Sequence, residues 1–260
     1  MTADTTTPSQ EAGPVVDATP PHPVIDRYYA TPADRPEMVC SLFNASASAY
    51  DKITGLMCLG TGVRYRHEVL KRIGVSTGDQ VLDLACGTGQ VSEAAARLVG
   101  ETGRVVGVDP SSEMRAVAES KRGITTHDGT AEQIPFDDNT FDYVTMGYAL
   151  RHVSDLRAAF TEMNRVLIPG GTVCVLEITP PKRRLAHVFI KLYLKTIVPS
   201  ATRLFSSNRE AARLMSYYWD TIEQCVPAPA ILDAMQAAGL SSPERSVTAG
   251  IFSEYTGTRR

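Results

Sequence analysis

The 260-residue sequence has no uninterrupted apolar run of the ~18–20 residues that a membrane-spanning helix needs, so no such helix is expected. Its first thirty residues lack both a basic start and an apolar stretch, so no secretory leader is expected either. An excess of charge of one sign is missing too. With 26 Lys and Arg against 29 Asp and Glu, the net charge is −3 and the pI about 6.0, which argues against a broad electrostatic grip on nucleic acid. The Asn/Asp-Pro-Pro-Tyr/Phe motif that grips a flipped base is absent as well. Cysteine is scarce and scattered. Cys40, Cys58, Cys86, Cys174 and Cys225 include no Cys-x-x-Cys pair and have no histidine cluster beside them, so reduced thiols are expected, with neither a disulfide frame nor a metal site. What is present is a 43% apolar chain, enough to bury a sizeable core. A cytoplasmic α/β protein is the expectation.

Residues 1–35 are rich in Thr, Pro and Ala, and the expectation is a mobile, disordered tail ahead of one domain spanning 36–260. Helical spacing over 36–50 and 63–73 predicts two helices before the first strand. Short apolar runs at 80–85, 105–108, 124–126, 141–146 and 173–178 read as buried parallel strands. Helix-like segments at 91–98, 112–120 and 156–167 alternate with them, which implies a doubly wound α/β sheet. Beyond Pro180 the alternation stops. Helices are expected near 183–198, 207–225 and 228–238, then two strands at 244–247 and 250–255 that pair as an antiparallel edge.

The run Val81-Leu82-Asp83-Leu84-Ala85-Cys86-Gly87-Thr88-Gly89-Gln90 leads from a predicted strand into a predicted helix, where open α/β sheets bind ligands. Gly87 and Gly89 allow a tight turn and close approach of a ligand. A nicotinamide fingerprint requires a third glycine three residues on, and Ser92 stands there. Asp83 would repel a pyrophosphate, yet it suits a ligand bearing an ammonium group and no phosphate. Asp109 follows Gly89 by twenty residues, at the end of the second strand, where a carboxylate accepts both hydroxyls of a ribose.

These segments resemble the class I S-adenosylmethionine-dependent methyltransferases. Within them, the sequence is similar to the ubiquinone/menaquinone-biosynthesis C-methyltransferase family. The general likeness rests on LDLACGTG, VVGVDPS, GTAEQIPFDDNTFD and EMNRVLIPGG; the narrower one on FNASASAYDKITGLMCLG, ALRHVSD, AILDAMQAAGL and TAGIFSEYTG. The resemblance implies a Rossmann-like fold with a mostly parallel seven-stranded sheet, N-terminal lid helices over 36–75 and an inserted helical cap over 180–226. It also implies S-adenosyl-L-methionine as cofactor. Gly87, Thr88 and Gly89 would hold it at the loop, Asp109 with Pro110 and Met114 along the adenosine, Thr130 and Ala131 beside the adenine, and Gly147 at the end of the fourth strand. Two departures stand out. Thr130 replaces an Asp or Asn, so the adenine amino contact falls to Thr130 or to nearby Asp128. Arg151-His152 replaces an Arg-Asn pair.

Methyl transfer needs an aligned, desolvated acceptor, and a phenolic or enolic acceptor also needs management of a proton. Arg151 and His152 are the catalytic candidates. In the family the Arg is proposed to orient a water or face a developing oxyanion, while an imidazole of pKa ~6.5 can serve as a base. The alternative is structural, with His152 capping the next helix and Arg151 pairing with an acid. Tyr50 would close over the cofactor as part of the lid. Tyr148, Glu177 and Tyr217 are expected at a small aromatic, phenolic or quinone-like acceptor. From 178 to 209 there are seven Lys or Arg and no acid, interleaved with apolar residues; this is read as a cap helix with a solvated basic face or as a peripheral membrane contact. A homodimer is the remaining partner expectation.

Overall fold

The computed structural model describes residues 18–205 and 209–260. One sheet contains β1 (Gln80–Leu84), β2 (Arg104–Val108), β3 (Thr125–His127), β4 (Phe141–Gly147), β5 (Leu167–Ile178), β6 (Leu240–Thr248) and β7 (Phe252–Arg259). Its order is β3-β2-β1-β4-β5-β7-β6, with the first five strands parallel and β7 antiparallel to both its neighbours. Around it lie α1 (Arg35–Met57), α2 (Gly62–Arg72), α3 (Gln90–Val99), α4 (Ser112–Arg122), α5 (Leu156–Val166), α6 (Arg184–Leu192), α7 (Val198–Phe205), α8 (Arg209–Gln224) and α9 (Ala228–Ala237). A π-helical turn, Tyr193–Ile197, joins α6 to α7.

The central strands are apolar on both faces because helices cover both. Val81, Leu82, Leu84, Val106, Val144, Met146, Val173 and Val175 are fully buried. From β1 the chain winds outward to β3 and then returns beside β1 as β4, so the strand order reverses between β1 and β4. That reversal leaves a crevice at their carboxyl ends.

The helix expected over 36–50 runs on to Met57, and the one expected near 183–198 is divided into α6, the π-helical turn and α7. Three further differences stand out. The fifth strand starts at Leu167, six residues early, because α5 runs straight into the Phe141↔Leu167 pairing. The last two strands are longer than expected, and the edge strand β6 carries Pro243 at a register break between Ser241 and Glu244, which blunts the edge. The third difference is larger. Residues 18–35, expected as mobile tail, are packed, while 1–17 lie outside the described residues. Ile25, Tyr28 and Tyr29 join Leu214, Tyr217, Tyr218 and Trp219 of α8 in a core cluster. Leu156 N–H donates to the Thr19 carbonyl at 2.9 Å, and Val226 N–H donates to Pro21 at 2.8 Å. Tyr28 also donates to Asp220 at 2.8 Å and Arg35 to the His22 carbonyl at 3.1 Å, so apolar anchors and hydrogen bonds together hold this proline-rich strap.

Among the described residues no helix is long and apolar enough to cross a membrane, and no group of three or more His, Cys, Asp or Glu is placed to hold a metal ion.

Candidate active site

The crevice opens into a pocket of ≈ 570 Å³, adjoining solvent included. Its floor is the end of β1 (Asp83) and the loop after it (Ala85, Cys86, Gly87, Thr88) with Gly147 and Tyr148 from the end of β4. Tyr50, Thr54, Met57 and Cys58 of α1, Arg66 of α2 and Tyr218 of α8 close it from above. The backbone is strained here: Ala85 (φ 50°) and Tyr148 (φ 62°) are non-glycine residues in the left-handed region. Gly87 also has positive φ, and a Cβ built on it meets nothing within 4 Å, so its bare Cα faces open space. At Gly147 a Cβ would come within 2.6 Å of Val91, so only glycine lets α3 pack against the end of β4.

At the ends of β1 and β2 lie two buried carboxylates, and among the described residues no cation pairs with either. Asp83 accepts from the Ser92 hydroxyl at 2.6 Å and from Thr145 at 3.1 Å. Asp109 accepts backbone N–H groups of Gly87 at 2.7 Å and Ser111 at 2.8 Å. Burial pushes each carboxyl up to about 6. Asp109 lies just outside the pocket, which Asp83 shares with Arg66, 5% exposed, with no hydrogen bond or carboxylate partner among the described residues, its Nε orphaned and its guanidinium over the Tyr148 ring. Gly62, one turn back, makes room for it, since a Cβ there would lie 2.6 Å from Nη1. Sequence reading missed Arg66. The signal was its position on the apolar face of α2, four and three residues ahead of Leu70 and Val69.

The adenosine-side candidates lie outside this cavity. Ser111 is buried beneath α1, its Oγ donating to Asn44 at 2.6 Å, whereas Pro110 is exposed and only its carbonyl meets α1, at Cys40 Sγ (3.6 Å). Met114 is fully buried, Ala131 nearly so, Thr130 is exposed, and Asp128 pairs with Arg115 at 2.7 Å. Gly89 starts α3 with φ 81°. Thr88 turns toward the lid, donating to Asp51 at 2.6 Å; Gln90 and Arg122 donate to the same carboxylate. Against the penalty of burial, these hydrogen bonds pull Asp51 below the ordinary carboxylate range. Asp51 therefore ties α1 to the glycine loop, a role that its neighbour Tyr50 obscured in the sequence.

On the acceptor side, the Tyr50 and Tyr218 hydroxyls meet at 2.6 Å in the cavity wall. Burial, then each hydroxyl's partner for Tyr50, raises both above the ordinary tyrosine value, so both stay protonated. Behind Tyr218 lies Arg151, fully buried, its guanidinium 4.4 Å from the ring centroid. Arg151 Nη1 donates to Glu177 at 2.6 Å and Nε to Thr221 at 3.2 Å, leaving Nη2 without a partner. The expected contact residues Glu177 and Tyr217 are thus one layer back from the cavity. Tyr217 packs edge-on against Tyr28, and the neighbouring Tyr218, 100° round the helix, is the one that reaches the wall.

His152 also lies behind the wall, boxed by Phe43, Tyr217 and Tyr218 at 5.3–5.7 Å, with both ring nitrogens unpartnered. Burial, then the Arg151 charge, holds it well below the ordinary histidine value. It is a neutral ring inside an aromatic box and does not cap α5; Asp155 does, accepting from Arg157 and Ala158 N–H.

A model of the ubiE/COQ5 methyltransferase family matches residues 32–259. The chain belongs to that family. It is an S-adenosylmethionine-dependent methyltransferase. Demethylmenaquinone methyltransferase of Staphylococcus aureus is 34% identical over 230 residues, covering 85% of this chain and 92% of that relative. Among solved structures, a SAM-dependent methyltransferase from Thermotoga maritima superposes with a TM-score of 0.60 at 19% identity, covering 85% of this chain and 99% of that one. Phosphoethanolamine N-methyltransferase 2 of Haemonchus contortus, solved with S-adenosyl-L-methionine, gives 0.54 at 18% identity and covers 75% and 52%. These two likenesses show the shared fold. For this ubiE/COQ5 family member the cavity fits the cofactor. The amino-acid end of S-adenosylmethionine carries one cation and one anion, and the cavity presents a buried anion (Asp83) and a buried cation (Arg66), each without an opposite charge of its own.

Proposed function

We propose that this methyltransferase methylates a ring carbon of a small quinol-like acceptor. The carrying observation is the hydroxyl pair Tyr50–Tyr218 in the cavity wall, 2.6 Å apart and backed by the Arg151 guanidinium. The name of the S. aureus relative, demethylmenaquinone methyltransferase, states an acceptor of this class. In this reading Arg66 takes the cofactor's carboxylate, Asp83 its ammonium and Asp109 its ribose hydroxyls. Once bound, the cofactor supplies an electrophilic methyl group on a sulfonium.

The chain's part is positioning and proton placement. One tyrosine hydroxyl donates to the other, so the pair retains one free O–H to donate to an acceptor oxygen and free lone pairs to accept from it. The positive Arg151 behind the Tyr218 ring favours the negative charge left on that oxygen when its proton departs to solvent, the state from which the ring carbon attacks the methyl group. Glu177 and Thr221 hold Arg151 in place. His152, neutral and shut away from the cavity, contributes shape.

The test is incubation with methyl-labelled S-adenosylmethionine and a short-chain demethylated naphthoquinol, followed by NMR of the product. The label is expected on a ring carbon, and Tyr218→Phe is expected to lower kcat by about 10²-fold with cofactor affinity unchanged. Label on oxygen, or a Tyr218→Phe enzyme of normal rate, overturns the reading.

A further inference from the structure

The helix α6 leaves its apolar side uncovered. Leu185, Val188, Phe189 and Leu192 are 87%, 58%, 65% and 54% exposed, and their spacing of 3, 4 and 7 residues makes one continuous stripe on one helix face. The opposite face is where α6 attaches to the protein. Ile190 and Tyr193 pack into the cluster of α1 and α8, and the Tyr193 hydroxyl donates to the Leu56 carbonyl at 2.6 Å. That bond fastens the end of α6 to the same turn of α1 whose Met57 and Cys58 line the cavity. Two more exposed apolar side chains, Leu59 and Val63, sit where α1 gives way to α2. An exposed apolar stripe of this size marks a contact surface.

Charge identifies the occupant. Within 178–209 there are seven Lys or Arg and no Asp or Glu, in a chain whose net charge is −3. Lys191 and Lys195 are answered by Glu223 and Asp220 of α8. Lys182, Arg183 and Arg184, all exposed at the head of the stripe, have no ion-pair partner among the described residues. A second copy laid face to face would bring these cations together. An anionic bilayer surface meets both features at once: phosphate headgroups for the cations and acyl chains for the stripe. We propose that α6 lies flat in the surface of an anionic phospholipid membrane, with the cavity mouth held beside it. This stands on the α6 surface alone and does not require the acceptor named above.

The test uses the full chain with phosphatidylcholine vesicles, with and without phosphatidylglycerol, in a sedimentation assay. Binding is expected to the anionic vesicles only, to weaken as salt rises, and to fall roughly fivefold for each of Lys182, Arg183 and Arg184 replaced by Gln. The double variant Leu185→Glu/Phe189→Glu is expected to lose binding at least tenfold while keeping its melting temperature, since both side chains are exposed. It is also expected to keep its rate on a water-soluble acceptor, which separates this proposal from the catalytic one. Binding independent of lipid charge, no binding at all, or a dimer in solution that Leu185→Glu/Phe189→Glu dissociates would each overturn it, the last by making α6 an interface between copies.

Discussion

Two buried charge centres lie at the strand ends of this protein, and they are built on opposite plans. At the ends of β1 and β2, Asp83 and Asp109 are satisfied only by hydroxyls and N–H groups, and Arg66 shares the cavity with Asp83 but pairs with no carboxylate among the described residues. At the ends of β4 and β5, Arg151 and Glu177 answer one another directly at 2.6 Å. In the proposed reading a zwitterionic ligand completes the first centre. The second is already charge-paired in the free protein, its guanidinium fixed behind the tyrosine wall. Orphaned buried charge therefore points to where a ligand sits, and a closed pair points to what holds the site in shape.

The largest effect should come from breaking the closed pair. Glu177→Gln leaves the Arg151 charge buried and uncompensated and should cost about 3–5 kcal/mol, lowering Tm by roughly 6–20 °C in a thermal melt. A Tm change under about 2 °C would mean that the pair is not closed. Arg66→Met should do the reverse in the ligand-free protein, leaving Tm equal or higher because an unpaired buried charge is removed. Its cost appears on binding. Calorimetry should show S-adenosylmethionine affinity down by about 10- to 150-fold, equivalent to ~1.5–3 kcal/mol, with 5′-methylthioadenosine, which lacks the carboxylate, unaffected. Equal losses for both ligands would take Arg66 off the carboxylate.

The smallest effect concerns pH. Burial pushes Asp83 and Asp109 up to about 6, so between about pH 4 and 6 the folded protein holds protons that the unfolded chain has released. Stability contributed by these two groups therefore falls as pH rises through that window. A ligand presenting an ammonium and hydroxyls prefers both carboxylates ionised. Cofactor affinity should accordingly climb from pH 5 to 7, by up to about tenfold for each carboxylate, and then level off, with Asp109→Asn removing its share of the rise. A flat wild-type profile would show that these carboxylates do not face the ligand.

The two centres also differed in how far the sequence disclosed them. The glycine loop, Asp83 and Asp109 were legible because strand, turn and helix are local and their spacing is fixed by backbone geometry. Arg151, His152 and Glu177 were placed near the right strand ends, but their depth was not legible. Which residues reach the cavity depends on α1 and α8 folding over the sheet from more than 30 residues away in sequence on either side. The same long-range packing made Tyr217 stand in for Tyr218. It also hid Asp51, whose partners Thr88, Gln90 and Arg122 lie on other elements. The strap over 18–35 looked mobile because proline and threonine outnumber its anchors, and Ile25, Tyr28 and Tyr29 count only once α8 is present to receive them.

The position of β7 between β5 and β6 bears on how the chain is made. The twelve-residue β5 is complete at Ile178, yet its outer edge is covered only by Phe252–Arg259, some eighty residues later. At ~5–20 residues per second, a ribosome leaves that long apolar edge bare for on the order of 4–16 s, a template for wrong pairing. That edge closes only when the last strand arrives, with Arg259 donating to the carbonyls of Asn164 and Arg165 at its far end.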